Sequence, residues 1–246
     1  GKKETAISRM LPETGKARKD DNDDGSVVSS MTQKTKSNMA HRDKHRYDKL
    51  VHVNNLHTEQ ARVDKQQKLD GLKKVNLRNM LLFDDGAWAF AAFMHSNSFI
   101  MDLDISFNCI SDDGMQAVAT ILPLMKQLHT LKANGNSFGY DGMRYILKPL
   151  KDSTTIKHLQ ISGNSLCDDG CELIGQELLP AHPTLLSLYV DENKISDDGA
   201  KQLGEGILRN RVLETLSVSK NMIYNAGAQS LAFAIQSSGS MKSLRI

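Results

Sequence analysis

The residues with the most chemical potential in this chain are paired acids. They read FDDG at 83–86, SDDG at 111–114, CDDG at 167–170 and SDDG at 196–199. Adjacent carboxylates are raw material for general acid–base work and for divalent-cation sites. A catalytic pair or a metal site, however, is needed once, and this doublet returns at regular steps. Two neighbouring carboxylates also fall well short of the roughly six to eight oxygens that calcium takes. The spacing assigns them to architecture: acids in the first turn of a helix face its positive end and accept from its free N–H groups. Ser111 and Ser196, one residue ahead of two of the doublets, have the side chain of an N-cap.

Other candidates are weaker. Asp20, Asn22, Asp24 and Gly25 carry the spacing that opens a calcium loop, but Met31 holds the place of the closing bidentate Glu. His41 and His45 stand four apart, with His52 and His57 following, among lysines and arginines and without a completing Cys or carboxylate set. Cys109, Cys167 and Cys171 are an odd number, which argues against a disulfide framework and for a reducing compartment. Neither a Gly-rich phosphate loop nor a Ser/His/Asp arrangement in recognisable context is present. The expectation is therefore no catalytic residue, no metal and no cofactor. Lys plus Arg number 31 and Asp plus Glu 29, a balance that predicts neither a nucleic-acid nor a membrane partner.

The elements that carry these residues follow from a repeat. Gly86, Gly114, Gly142, Gly170, Gly199 and Gly227 are separated by 28, 28, 28, 29 and 28 residues. Asn108, Asn136, Asn164, Asn193 and Asn221 keep the same step, with Met80 in the equivalent place of the first unit. Ahead of each lies an apolar triplet: Leu72/Val75/Leu77, Ile100/Leu103/Ile105, Leu128/Leu131/Ala133, Ile156/Leu159/Ile161, Leu185/Leu188/Val190 and Leu213/Leu216/Val218. A seventh, Met241/Leu244/Ile246, breaks off within a predicted strand, which implies further repeats or a covering subunit. After each glycine comes the i, i+3, i+4, i+7 stripe of an amphipathic helix, as in Ala200, Leu203, Gly204 and Ile207. Each unit is thus a short strand, a turn holding the Asn, and a helix. The turn amide is expected to satisfy backbone groups and form a ladder along the stack. Trp88, in AWAFAAFM of the first unit, is expected to pack in the core or cap.

Residues 1–70 have other statistics, with 15 Lys/Arg, 11 Asp/Glu and apolar residues scattered without a period. Such a segment predicts an extended, partly helical tail that orders on a partner, ahead of a repeat domain over 71–246 with six complete repeats and a truncated one.

The pattern L-x-x-L-x-L-x-x-N with this period resembles the leucine-rich repeats of the ribonuclease-inhibitor type. The resemblance covers residues 72–246 and implies an α/β solenoid, a horseshoe with parallel strands on the concave face and helices on the convex face. On that register the concave face presents Asn76, Asp104, Lys132, Gln160 and Tyr189 between the strand leucines, then Arg78 and Asp191 after the triplets. These are the candidate partner-binding residues, on a surface suited to protein contact rather than to a small-molecule substrate. Similar repeat proteins serve as structural subunits of the ciliary axoneme, in radial spokes and the nexin–dynein regulatory complex. The resemblance therefore implies a non-enzymatic scaffold of the cytoplasmic cytoskeleton, in a cilium or flagellum, whose partners are other subunits of a large complex. The alternative it offers is a GTPase-activating protein similar to the Ran activators, with Arg78 as the acting residue.

Overall fold

The computed structural model describes residues 73–94 and 99–246; the polar tail, the acidic stretch at 20–31 and His41, His45, His52 and His57 lie outside them. Seven three-residue strands appear among the described residues: β1 (Lys74–Asn76), β2 (Asp102–Asp104), β3 (Thr130–Lys132), β4 (His158–Gln160), β5 (Ser187–Tyr189), β6 (Thr215–Ser217) and β7 (Ser243–Arg245). All pair in parallel and in sequence order. The register sets Val75, Leu103, Leu131, Leu159, Leu188, Leu216 and Leu244 in one row. Alternation turns that row inward and its polar neighbours outward. The five central leucines of the row are at most 1% exposed.

Helices return the chain on the other side: α1 (Phe83–Met94), α2 (Asp112–Ile121), α3 (Tyr140–Lys151), α4 (Cys167–Leu173), α5 (Asp197–Arg209) and α6 (Asn225–Ser237). Their inner stripes complete one contiguous core, in which Met115, Met143, Ile146 and Leu203 are fully buried. Each Leu or Ile enclosed this way adds roughly 2 kcal/mol over its exposed state. No single repeat encloses its own stripe, so stacking supplies the stability. Cys171 sits in the stripe as its register predicts. Trp88 does not: Ala87, Phe90, Ala91 and Met94 take the inner face of α1, and the indole is 44% exposed.

The single 29-residue step falls between His158 and Ser187, which pair across β4 and β5. Its extra residue is absorbed in the helix, where α4 passes into a π turn at Ile174–Leu178 and ends in a further helical turn at Leu179–Ala181. A π bulge is how a helix takes in one residue without rotating its ends out of register. The bulge seats Gly175 against the next helix, where a Cβ would lie 2.0 Å from the Gln202 carbonyl oxygen.

The paired acids do more than sit at their own helix starts. The first acid of each pair reaches to the following repeat. Asp84 Oδ1 accepts from the N–H groups of Ser111 (2.8 Å) and Gly114 (3.0 Å), and Asp84 Oδ2 from the Ser111 hydroxyl (2.6 Å). Asp112 takes Gly139 and Gly142, Asp168 takes Ser196 and Gly199, and Asp197 takes Tyr224 and Gly227, all between 2.7 and 3.0 Å. Each carboxylate thus caps its neighbour's helix where the partial positive charge is greatest. The recurrent glycine is the matching half: a Cβ at Gly114, Gly142, Gly199 or Gly227 would stand 2.4–2.7 Å from the visiting Oδ1. Ser111 and Ser196 are N-caps as expected, accepting from the N–H of Asp113 and Asp198.

The asparagines form a second ladder. Asn136 Oδ1 accepts from the N–H groups of Asn108 and Ile110 in the repeat before, while Asn136 Nδ2 donates to the Ile105 and Ala133 carbonyls. Asn108, Asn193 and Asn221 likewise link adjacent repeats on both sides of the amide. Asn164 keeps only its donor side; its Oδ1 is buried without a partner.

Candidate interaction surface

Three polar rows run along the sheet face opposite the core. The middle row is Asn76, Asp104, Lys132, Gln160, Tyr189, Ser217 and Arg245, aligned by the strand register. Five of the seven residues expected to meet a partner stand in it. The expected Arg78 and Asp191 stand in the row just beyond the strands.

Arg78, Gln160, Tyr189 and Asp191 come together with Phe107, Asn134 and Ser162 around a shallow basin of about 410 Å³. Asn76, Asp104 and Lys132 are on the same face but not in its lining. The Asn76 and Asp104 side chains instead accept from the N–H groups of Arg78 and Ser106, each two residues on (3.0 Å).

One wall of the basin is a stacked pair. The Arg78 guanidinium lies 4.2 Å from the centre of the Phe107 ring, a cation–π contact that fixes the direction of its N–H fork. The ring rests on Gly135, where any Cβ would approach it to 2.5 Å. Phe107 and Gly135 belong to a row that also includes Asn79, Gly163, Glu192 and Lys220, and all six have φ between 54° and 67°. Left-handed backbone favours Gly and Asn, yet Phe107, Glu192 and Lys220 all adopt it in this row, so the turn of the repeat imposes it at a cost to each.

The opposite wall is set by Asp191. Its carboxylate accepts from the Ser162 hydroxyl (3.1 Å), the Ser217 hydroxyl and the Ser219 N–H (2.7 Å). Three donors from two neighbouring repeats hold it in place. The Asn134 amide nitrogen donates to Gln160 Oε1 (3.4 Å) and its Oδ1 accepts from the Ser162 N–H (2.9 Å). The basin is therefore lined by amides and hydroxyls whose orientation is set in advance, with Arg78 at one end and Tyr189 at the other.

Sequence reasoning missed the third row, at Lys74, Asp102, Thr130, His158 and Ser187, and it missed Phe107. Lys74 and Asp102 form an ion pair at 3.0 Å. Partial burial pushes the Asp102 carboxyl up, but hydrogen bonds from Lys74 and Thr130, with the charges of Lys74 and Lys132, outweigh it and hold the group below its usual value. Two glycines at one repeat position, Gly135 and Gly163, were the available hint of a left-handed row that includes Phe107.

Elsewhere the chemistry is structural. Burial pushes the Cys171 thiol far above its usual value, with Asp168 and Cys167 adding to the shift. Cys109 and Cys167 are exposed. Among the described residues no three His, Cys, Asp or Glu side chains are grouped to hold a metal ion. No described helix is long and apolar enough to cross a membrane.

Four segments, residues 96–119, 152–175, 181–204 and 209–232, match the family model described as Leucine Rich repeat. They are the repeats built on β2, β4, β5 and β6. Among solved structures the chain is similar to Leiomodin-1 Actin-Binding Site 2 (ABS2), at 18% identity and a TM-score of 0.47, over 54% of this chain and 77% of that one. No curated protein matches it significantly. The repeat matches, with parallel strands and helices alternating through one sheet, make the described residues an α/β leucine-rich-repeat solenoid.

Proposed function

We propose that this chain is a non-enzymatic protein-interaction scaffold whose concave strand face receives a partner protein. The observation that carries the reading is the basin between Arg78 and Tyr189. Its polar groups are held in place by bonds to neighbouring repeats, so little ordering is left to be done on binding. An arginine directed by an aromatic ring and an amphipathic tyrosine are the side-chain types that anchor protein interfaces. The wider setting is a large cytoskeletal assembly in the cytoplasm, such as a radial spoke or the nexin–dynein regulatory complex of a cilium or flagellum. That part of the proposal rests on the resemblance of the repeats.

The test has two arms. Tagged protein in a ciliated cell is extracted with detergent and high salt; retention with the microtubule skeleton supports the setting, and a fully soluble pool rejects it. In the retained fraction, cross-links from the concave face to a neighbour are expected to be lost in Arg78→Glu and Tyr189→Ala, and to persist in an Asp113→Ala control on the helix side. A soluble pool that accelerates GTP hydrolysis by a small GTPase, with the effect lost in Arg78→Ala, would replace the scaffold by a GTPase activator.

A further inference from the structure

Three features change together at one junction of the stack, between the third repeat (β3, α3) and the fourth (β4, α4). The acid that caps the next helix is missing there, because Tyr140 stands where Asp84, Asp112, Asp168 and Asp197 stand elsewhere. The acceptor side of the asparagine ladder is broken, since Asn164 Oδ1 is buried and unpartnered. The helix that follows begins after Leu166 without a side-chain cap, a lack it shares with α3 and α6 and which therefore does not mark the junction. That same helix carries the π turn.

The start of α4 also copies a different repeat. Cys167 has φ of 53° and Gly170 donates its N–H to the Leu166 carbonyl (2.9 Å). Phe83 has φ of 52° and Gly86 donates to Leu82 (2.9 Å), in the first described repeat. In both places the bond that other repeats make to a neighbour's carboxylate is made within the repeat. The fourth repeat starts its helix as the first one does, as though a second stack began there.

What still crosses the junction lies mostly at the sheet and the loop after it. The β3–β4 ladder is complete, Gly135 donates to the Ser162 carbonyl, and Ser165 donates to Phe138. On the helix side the polar link among the described residues is the exposed Lys151–Glu177 pair at 3.0 Å. Exposed ion pairs of this kind contribute little.

We propose that this junction is a built-in seam: the solenoid consists of two cooperative blocks, repeats one to three and repeats four to six, that pivot about the intact sheet. In a linear array, stability is a sum of repeat terms and nearest-neighbour terms, so a weak interface sets where cooperativity ends. The seam passes through the basin. Arg78, Phe107 and Asn134 lie on the first block, and Gln160, Ser162, Tyr189 and Asp191 on the second. Asn134 keeps its bonds to Gln160 and Ser162 across the seam. A pivot there changes the angle between the two walls about that bonded centre and lets the concave face adjust its curvature to what it binds.

Hydrogen exchange on the full chain tests this directly. Protection of the helix-start peptides is compared at residues 138–147, 166–175 and 195–204. The middle peptide is expected to exchange roughly tenfold faster than its neighbours after correction for intrinsic rates. The chain has a single tryptophan, Trp88, in the first block, so indole fluorescence reports that block while far-ultraviolet circular dichroism reports both. The two urea transitions are expected to separate. Asp112→Ala is expected to create a second fast-exchanging helix start at 138–147, while Asp113→Ala leaves the pattern unchanged. Equal protection at the three helix starts together with coincident transitions would overturn the seam.

Discussion

The carboxylate that reaches across repeats is the feature whose removal has the most calculable effect, and Asp168 is the best place to remove it. Its side chain accepts from the Ser196 N–H at 2.8 Å, the Gly199 N–H at 3.0 Å and the Ser196 hydroxyl at 2.6 Å. Its sequence neighbour Asp169 is exposed and makes no such bond among the described contacts. Both acids occupy the first turn of α4, so a reading based on helix dipoles alone gives them similar weight. The cross-repeat reading does not.

Hydrogen bonds to a charged acceptor contribute about 1.5–3 kcal/mol each, and their sum overstates the loss because the freed donors sit near solvent at a helix start. An N-cap alone is worth about 1–2 kcal/mol. Asp168→Ala is therefore expected to cost about 2–3 kcal/mol. With roughly 2–4 °C per kcal/mol for a domain of this size, the Tm should fall by about 4–12 °C. Asp169→Ala loses only a dipole contact and should stay within about 0.5 kcal/mol. Thermal and urea unfolding followed by circular dichroism give both numbers. Equal losses in the two variants, or an Asp168→Ala change below about 0.5 kcal/mol, would refute the assignment of the first acid to the following repeat.

Other expected outcomes rest on neighbouring observations. Gly199→Ala should destabilise more than Gly170→Ala, because its Cβ would stand 2.4 Å from Asp168 Oδ1 whereas that of Gly170 meets only its own turn at Leu166. A double-mutant cycle of Gly199→Ala with Asp168→Ala should show coupling of about 1 kcal/mol or more, with the clash relieved in the pair. Gly175→Ala should cost about 3 kcal/mol in urea unfolding, since its Cβ would meet the Gln202 backbone at 2.0 Å. Stability should also rise with pH on account of His182. Burial lowers its pKa from 6.5 to about 4, so the unfolded chain binds the extra proton between those values. Its contribution is full above about pH 6.5 and is lost as pH falls toward 4, amounting to about 2 kcal/mol between pH 7 and pH 5. His182→Asn, which copies Asn210 one repeat on, should flatten that part of the profile; an unchanged slope would refute it.

The strand rows and the asparagine positions were legible because each depends on one repeat's own alternation and turn. Leu103, Leu131 and Leu159 announce an inward row by period two, and Asn136 announces a turn by its side chain. The direction in which Asp84 or Asp168 acts was not legible, because the donor it serves is 27 to 31 residues away and only stacking brings the two together. Of the candidate surface, the middle row followed from register, and four of the seven expected residues share one basin. Phe107 was invisible because it sits beyond the strand, at a left-handed position where an aromatic is unexpected. Trp88 was misread because composition marks an indole as apolar but does not say which face of α1 it takes.

The 29-residue step shows how the two kinds of information combine. Spacing alone states that one repeat is longer, and leaves the extra residue anywhere between Gly170 and Leu185. A loop insertion would have been the easy expectation, since loops tolerate length. The loop before β5 is not free to grow, however. His182 Nδ1 accepts from the N–H groups of Thr184 and Leu185, just as Asn210 Oδ1 accepts from Val212 and Leu213 one repeat later. That bonded turn fixes the distance from helix end to strand. The turn after β4 is fixed in the same way by the bonds that Asn164 donates to Ala133 and Ile161. Thr184 Oγ1 also donates to the Ile156 carbonyl one repeat back (2.9 Å). Both connections are thus tied to a neighbour, and the helix is the part of the repeat able to lengthen. It does so by a π turn that keeps Cys171 and Leu178 both facing the core. In a solenoid, then, a change in repeat length is taken up where hydrogen bonds run within the repeat, because every segment bonded to a neighbour is held to the common period.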